Sequence, residues 1–194
     1  MARYDAAHKE ATRQRIIETA GRRFKTDGID GSGVAVLMKD AGLTNGAFYG
    51  HFDSKDDLVA TMLADQLARQ RAHLAELGPG IEGLERFVRE YLSIGHRDDP
   101  GDGCPSSALI DEIGRQGEGV RRVYTEGMTA IIDDLAAALG PHGADARRQL
   151  YSAFALMAGA LQLARAVDDA ALSEAILEQG IVDALHLIGA VAPD

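Results

Sequence analysis

V-A-V-L-M-K-D-A-G-L-T-N-G-A-F-Y-G-H-F-D-S-K, residues 34–55, is the stretch whose reading decides the fold. Val34, Leu37, Met38 and Ala41 recur at the spacing of one helix face, and Ala41-Gly42-Leu43 interrupts them where a sharp turn is needed. Thr44 or Asn45 can open the next helix, because either side chain can accept a hydrogen bond from an orphan backbone amide. In that helix Ala47, Phe48 and Phe52 are expected inside, which leaves Asn45, Gly46, Tyr49 and His51 on the outer face. Two short helices joined by a Gly-containing turn make a helix-turn-helix, whose second helix can enter the DNA major groove. Sequence-specific DNA binding is the leading reading.

Each position has its own physical reason. Gly46 lacks a side chain and lets the recognition helix approach the DNA backbone closely. Tyr49 and His51 carry polar tips that can hydrogen-bond phosphate, and Lys55 starts a helix whose free amides and positive dipole end favour an anion. Such contacts fix orientation, so base reading falls to Thr44, Asn45 and Ala47, with Asn45 able to pair bidentately with adenine. The competing reading is that Tyr49 and His51 merely close a small three-helix core.

T-N-G-A-F-Y-G-H-F-D-S-K-D-D-L, residues 44–58, resembles the signature of the tetracycline-repressor (TetR) family of bacterial one-component regulators. The shared features are a Gly early in the recognition helix, an aromatic-Tyr-x-His-Phe run, and Ser-Lys-x-x-Leu opening a long fourth helix. The close match covers residues 16–63; beyond it the resemblance is one of length and helical layout. It implies that Tyr49 and His51 meet phosphate, that the last two helices of two subunits form a four-helix bundle, and that a small-molecule inducer in the body moves the fourth helix. It also implies repression, the commoner mode among relatives. One departure stands out. Relatives usually carry Ser or Thr where this chain has Gly33, so Gly31-Ser32-Gly33 leaves Ser32 as the hydroxyl available for capping and phosphate contact. A Gly cap loses only a few tenths of a kcal/mol relative to Ser, and the Gly33 amide can stand in at the phosphate.

Charge is unevenly distributed. The 194-residue chain has a formal net charge of -10, which argues against a nonspecific nucleic-acid coat. Residues 1–55 hold 9 Lys+Arg against 7 Asp+Glu, while the remainder hold 11 against 23. Arg3, Lys9, Arg13, Arg15, Arg22, Arg23 and Lys25 concentrate the excess on the first helix. A basic head on an acidic body suits a protein whose head alone meets DNA.

No apolar run approaches a bilayer span, and the start is polar, unlike a signal peptide, so a cytoplasmic protein with no membrane partner is expected. One cysteine, Cys104, excludes an intrachain disulfide, and six scattered His show no metal-ligand spacing, so neither metal nor cofactor is expected. No nucleophile–base pairing or phosphate loop suggests an enzyme. The adjacent pairs Asp133-Asp134 and Asp168-Asp169 face different directions on a helix and read as solvated charges or caps.

The chain reads as all-α, with nine helices. Three form a DNA-binding head over residues 1–54, and six form a ligand-binding and dimerisation body over residues 55–194. The first helix has Ile16, Ile17, Ala20 and Phe24 as its inner stripe and stops near Thr26-Asp27-Gly28. The body helices are expected over 55–77, 81–95, 105–113, 120–139, 145–167 and 172–191, with breaks at Gly78-Pro79-Gly80, at the loop 98–103 and at Gly140-Pro141. Ala155, Ala158 and Gly159, with Ile181, Leu185 and Ile188, are the expected homodimer interface, small residues for close approach and larger ones for bulk.

For the ligand, Met62, Phe87, Tyr91, Tyr124, Met128, Phe154 and Met157 are expected to line an apolar pocket between helices, with His96, Arg121 or Gln162 as a polar fixture. The structural alternative is ordinary core packing. Cys104 follows a flexible loop and can begin a helix, where the dipole favours a thiolate; a redox- or electrophile-sensing regulator is therefore an alternative. Against it stand Asp98, Asp99 and Asp102. A helical ligand-binding module that has lost DNA binding is a further alternative, resting on Gly33.

Overall fold

The computed structural model describes residues 2–139 and 143–189, and every regular element among them is helical. The expected break at Gly140-Pro141 and the end of the last helix at Val191 lie outside the described residues, as does the side chain of Arg3. No helix among the described residues is long and apolar enough to cross a membrane.

The head opens with α1 (Ala2–Asp27), which buries Ile16, Ile17, Ala20 and Phe24 and ends as the backbone turns through Gly28. Helix α2 (Val34–Asp40) buries Leu37 and Met38. At its end the Leu43 amide reaches back to the Met38 carbonyl (2.8 Å) and Gly42 adopts φ +71°, the left-handed conformation that closes a helix tightly. The recognition element then differs from expectation. Residues Asn45–Gly50 form a 3-10 helix, not an α-helix, closed by Ala47 N–Thr44 O and His51 N–Phe48 O bonds of 3.0 and 2.9 Å. Two glycines in six residues weaken α-helical propagation here, while Phe48 and Phe52, 5.7 Å apart, fasten the segment to the core.

Helix α3 (Lys55–Glu76) starts at Ser54, whose Oγ accepts from the Asp57 amide at 3.0 Å; the Asp57 carboxylate accepts from the Asp53 amide at 3.1 Å. The body continues with α4 (Gly80–Tyr91), α5 (Ile94–Asp98), α6 (Pro105–Arg115), α7 (Glu118–Ala138), α8 (Gly143–Ala166) and α9 (Ala170–Leu187). The single helix expected over 81–95 is thus two. It breaks at Leu92-Ser93, where Ser93 Oγ caps α5 by accepting from the His96 amide. Among the described residues the body therefore holds seven α-helices, one more than expected. Asp169 caps α9 through the Ala171 and Leu172 amides. Asp133 and Asp134 diverge as adjacent helix residues must, Asp133 to Arg147 on α8 and Asp134 to Arg71 on α3.

Two hydrophobic cores share α3. Leu58, Val59, Met62 and Leu63 pack with the head residues Phe24, Leu37, Phe48 and Phe52, and with Leu109, Ile113 and Val120 from α6 and α7. Leu67 and Leu74 belong instead to the body core, with Leu84, Phe87, Val88, Tyr91, Ile132, Leu150, Met157, Leu161, Leu177 and Leu185. The head's core thus reaches beyond residue 54 to Leu63. Helices α8 and α9 pack most closely at Gly180, where an added Cβ would stand 3.0 Å from Ala160 Cβ and 3.1 Å from Leu92 Cδ1.

Gly42 has open space around its missing side chain and a positive φ, so a substitution there isolates backbone strain from packing. Gly42→Ala is expected to lower the unfolding free energy by about 1–2 kcal/mol. Gly46→Ala, equally unobstructed and at negative φ, should change it by less than about 0.5 kcal/mol. Urea unfolding of the two variants checks both values.

Candidate functional site

The short recognition element presents one coherent outer face. Phe48 and Phe52 turn inward at 1% and 2% exposure, which leaves Thr44, Asn45, Gly46 and Gly50 exposed and Tyr49 71% exposed. The Tyr49 ring sits edge-on to Phe48, centroids 5.2 Å apart, so the core aims the hydroxyl outward. Ala47, expected to do double duty, is half-buried against the head core.

His51 is half-buried, and its Nδ1 is out of contact with solvent without a hydrogen-bond partner. Burial lowers its pKa below the ordinary value, and Lys9 and Arg13 on α1 add to the effect, with Glu10 opposing. Arg13 is held in place by the face of Phe52, its guanidinium carbon 4.7 Å from the ring centroid. An uncharged imidazole beside two cations and an exposed phenol is suited to an anion.

Two residues expected at this surface do something else. Ser32 is 1% exposed, and its hydroxyl donates to the Gly28 carbonyl at 2.8 Å; it braces the turn after α1 and is neither a cap nor a surface group. Gly33 is the N-cap of α2, exposed and without side-chain help. Lys55 is half-buried and donates to the Ile29 carbonyl at 2.5 Å, pinning the same turn. A short loop rich in Gly has many carbonyls to satisfy, and these two side chains satisfy two of them.

The basic residues of α1 divide similarly. Lys9 and Arg15 are exposed. Arg23 pairs with Asp27 (2.6 Å) and Asp40 (3.5 Å) inside the head, Arg22 pairs with Asp102 and Asp99 of the body, and Lys25 is 8% exposed with its ammonium on the Gly103 carbonyl at 2.7 Å. Burial pushes the Lys25 pKa down to about 8. Part of the basic excess thus ties the head to the acidic loop 98–103. Glu112 of α6 adds a further tie, accepting from the amides of Ile29 (2.7 Å) and Asp30 (3.1 Å).

Those ties frame a cleft of about 820 Å³. Helix α1 supplies Glu18, Arg22 and Lys25; α3 supplies Asp65, Gln66, Arg69 and Gln70; α4 supplies Phe87, Glu90 and Tyr91; and the α5–α6 segment supplies His96, Asp102 and Cys104. Of the expected pocket residues it collects Phe87, Tyr91 and His96. Met62 (0% exposed) lies in the head core and Met157 (2%) in the body core, while Tyr124, Met128 and Phe154 pack against the body core. Tyr124 donates to Ser106 Oγ at 2.9 Å, and Gln162 donates to the Ser107 carbonyl. Helical spacing marked these residues as inward-facing, and inward here means core. The cleft is also more charged than expected. The complementarity of Arg22 and Lys25 with Asp99 and Asp102 was present in the sequence and is the signal that locates it.

Cys104 is the N-cap of α6 and half-buried on the cleft wall, its thiol donating to Gln70 Oε1 at 3.4 Å. Its amide donates to His96 Nε2 at 3.0 Å, and His96 Nδ1 meets the Tyr91 carbonyl at 2.7 Å. A carbonyl accepts only, so Nδ1 carries the proton and Nε2 the lone pair: His96 is neutral. Burial, the largest influence, holds its pKa below the ordinary value.

The interface expectation is divided by burial. Ala155 is exposed and Gly159 and Ile181 are half-buried, whereas Ala158 (6%), Leu185 (3%) and Ile188 (6%) belong to the protomer's own interior. The outward stripe is instead Tyr151, Ala155, Gly159 and Leu163 on α8, beside Leu172, Ala175 and Val182 on α9. Leu163 is 60% exposed.

Residues 16–62 match the family model for bacterial regulatory proteins of the tetR family. The chain is 37% identical over 86 residues to the HTH-type transcriptional regulator SrpR of Pseudomonas putida, covering 44% of this chain and 38% of that protein. It is 39% identical over 75 residues to the HTH-type transcriptional regulator TtgR, also of Pseudomonas putida, covering 39% and 35%. The matched region is thus well under half the length of these two curated relatives. The fold likeness extends further. A TetR-family regulator from Agrobacterium tumefaciens superposes with a TM-score of 0.75 over 90% of this chain and 98% of its own at 23% identity. The reduced form of E. coli NemR gives 0.73 over 91% and 96% at 22%. The head of this chain thus matches the tetR family of bacterial transcriptional regulators over residues 16–62, and its helical body shares the fold of solved members of that family.

Proposed function

We propose that the protein is a homodimeric repressor that covers a palindromic operator and is released by a small molecule bound in its helical body. The observation that carries this reading is the recognition element, whose aromatic pair is buried so that Thr44, Asn45, Gly46 and Tyr49 face outward together. Asn45 and Thr44 read base edges in the major groove, Gly46 admits close approach, and Tyr49, His51 and Arg13 hold phosphates. The Gly33 amide takes the place of the missing hydroxyl. Two copies joined through the α8–α9 stripe present two recognition elements to two half-sites. The cleft that meets Phe87, Tyr91 and His96 is the inducer site.

Tyr49 tests the DNA surface with little risk to the fold, because its ring is largely exposed. Tyr49→Phe removes one hydroxyl and is expected to weaken operator binding about tenfold, the scale of a hydrogen bond to a charged group. It should leave thermal stability unchanged. Ser32→Ala should do the reverse, lowering stability by about 1–3 kcal/mol through the orphaned Gly28 carbonyl with little effect on affinity beyond the folded fraction. Fluorescence anisotropy on operator DNA, with thermal melts of each variant, separates the two roles; a Tyr49→Phe protein of unchanged affinity removes Tyr49 from the interface.

Leu163→Glu places a charge on the α8–α9 stripe. The expected product is a folded monomer by sedimentation equilibrium that has lost high-affinity operator binding. A dimer of unchanged strength would place the interface elsewhere.

A further inference from the structure

The cleft differs from a pocket enclosed by the body, because one of its walls is α1 of the DNA-binding head. We propose that it binds a small uncharged aromatic molecule bearing a hydroxyl or carbonyl group, and that occupancy reaches the head directly, by displacing Lys25 from the Gly103 carbonyl. This rests on the reading of the chain as a ligand-responsive regulator and names the ligand chemistry and the route of its signal.

The charged rim excludes charged ligands. Arg22 is paired with Asp102 and Asp99, Arg69 with Glu18 (2.9 Å) and Asp65 (3.0 Å), and His73 with Glu90 (2.8 Å). An anion entering the cleft meets an excess of carboxylates, and a cation must settle beside the buried Lys25 ammonium. A neutral molecule disturbs none of these pairs.

The floor asks for a hydrogen-bonding group. Tyr91 is 4% exposed, and its hydroxyl, beside Cys104 and Ser107, has no hydrogen bond of normal geometry; Gln66 Oε1 is also out of solvent and without a partner. Burying such atoms unsatisfied costs about 1–3 kcal/mol each. Both residues line the cleft; when a side-chain rotation turns these atoms into it, a ligand hydroxyl donates to Gln66 Oε1 and a ligand oxygen accepts from Tyr91. The walls ask for a ring. Phe87 and Tyr91 lie edge to face at 5.6 Å, and Tyr91 and the neutral His96 ring at 4.8 Å, so a further ring extends an existing cluster.

The route to the head follows from packing. Gly103 lies so close to the His96 ring that a Cβ there would stand 2.5 Å from Nε2. A ligand that shifts His96 therefore shifts the Gly103 carbonyl, on which the Lys25 ammonium of α1 depends. The ligand oxygen offers that ammonium a replacement acceptor, and α1 then keeps only its Arg22 pairs with loop 98–103, so its C-terminal end loosens without any bend in α3.

Cys104, the one cysteine of the chain, stands on the cleft wall and reports occupancy without mutation. The rate of its alkylation by iodoacetamide, followed by intact mass, is measured with 4-hydroxyacetophenone as the probe. About 1 mM probe is expected to slow alkylation about threefold and saturably, an affinity within reach of so small a ligand. Benzoate (charged) and cyclohexanol (no ring) at equal concentration should not. Tyr91→Phe should weaken protection about fivefold. No protection of the parent, or equal protection by either control, overturns the binding assignment.

The route is read by amide hydrogen exchange, which needs no DNA. At a probe concentration that saturates protection of Cys104 in each protein, the probe should raise exchange at residues 45–50 in the parent but not in Lys25→Met. An undiminished response in Lys25→Met overturns the route through α1. Failure to bind operator would be a separate result, overturning the regulator reading while both of these measurements remain interpretable.

Discussion

Between Leu63 and Leu67 helix α3 passes from one hydrophobic core to another within a single turn. Its first half is fixed by Phe24, Leu37 and the two recognition phenylalanines, and its second half by the body's α4, α7 and α8. Because an α-helix is stiff over this length, neither core can rotate about α3 without breaking packing in the other. The recognition element has no long helix of its own. It is a short 3-10 segment whose direction is set by Phe48 and Phe52, both anchored on the same core as the start of α3. The orientation of the outward-facing side chains of this segment is therefore set by the core it shares with α3.

Beyond α3, Leu109, Ile113 and Val120 of the body also join the head's core, and the other links between head and body are polar. Arg22 to Asp99 and Asp102, Lys25 to Gly103, Glu112 to the Ile29 and Asp30 amides, and Arg69 to Glu18 all cross the boundary. The Arg22 and Arg69 pairs are exposed and screened by salt, whereas Lys25 and Glu112 make charge-assisted hydrogen bonds to backbone. All four are few beside the many aromatic and aliphatic side chains buried around α3, each worth about 1.5–3 kcal/mol. Packing around α3 thus holds the fold together, and the polar ties set the angle at which the head is carried. Such polar contacts can be exchanged without unfolding either core, which burial in the cores does not allow.

The sequence made the head legible because its signals are local. The Val34, Leu37, Met38 and Ala41 spacing, the Gly42 turn and the Phe48 and Phe52 anchors each lie within a few residues of their partners, and the family signature sits on the same residues. The break at Ser93 in the helix expected over 81–95 was missed, because a lone Ser inside an apolar helical pattern signals a cap only once the chain is seen to turn there. The rest depended on contacts between distant segments. Ser32 and Lys55 had the right chemistry for phosphate, but carbonyls exposed by the turn after α1 took them. Met62 and Met157 had the right spacing for a pocket, and the cores took them. On α8 and α9 apolar residues occupy nearly the whole circumference, so periodicity alone could not separate Leu163 and Val182, which face outward, from Leu185 and Ile188, which face inward.

The opposite charges on head and body take on a second meaning in this light. A basic first helix looked suited to DNA as a whole, yet Arg22, Arg23 and Lys25 at its C-terminal end are committed to carboxylates and a carbonyl within the protein. Lys9, Arg13 and Arg15 lie nearer its N-terminal end, and Lys9 and Arg13 are felt by His51. The charges of one helix are thus divided along its length, those nearer its start lying beside the recognition element and those at its end committed to contacts within the protein. The same helix joins the loop at Asp99–Gly103, through Arg22 and Lys25, to Arg13, whose guanidinium lies on Phe52 beside the recognition element. The acidity of the body serves first to hold this helix in place, and its repulsion of DNA is secondary.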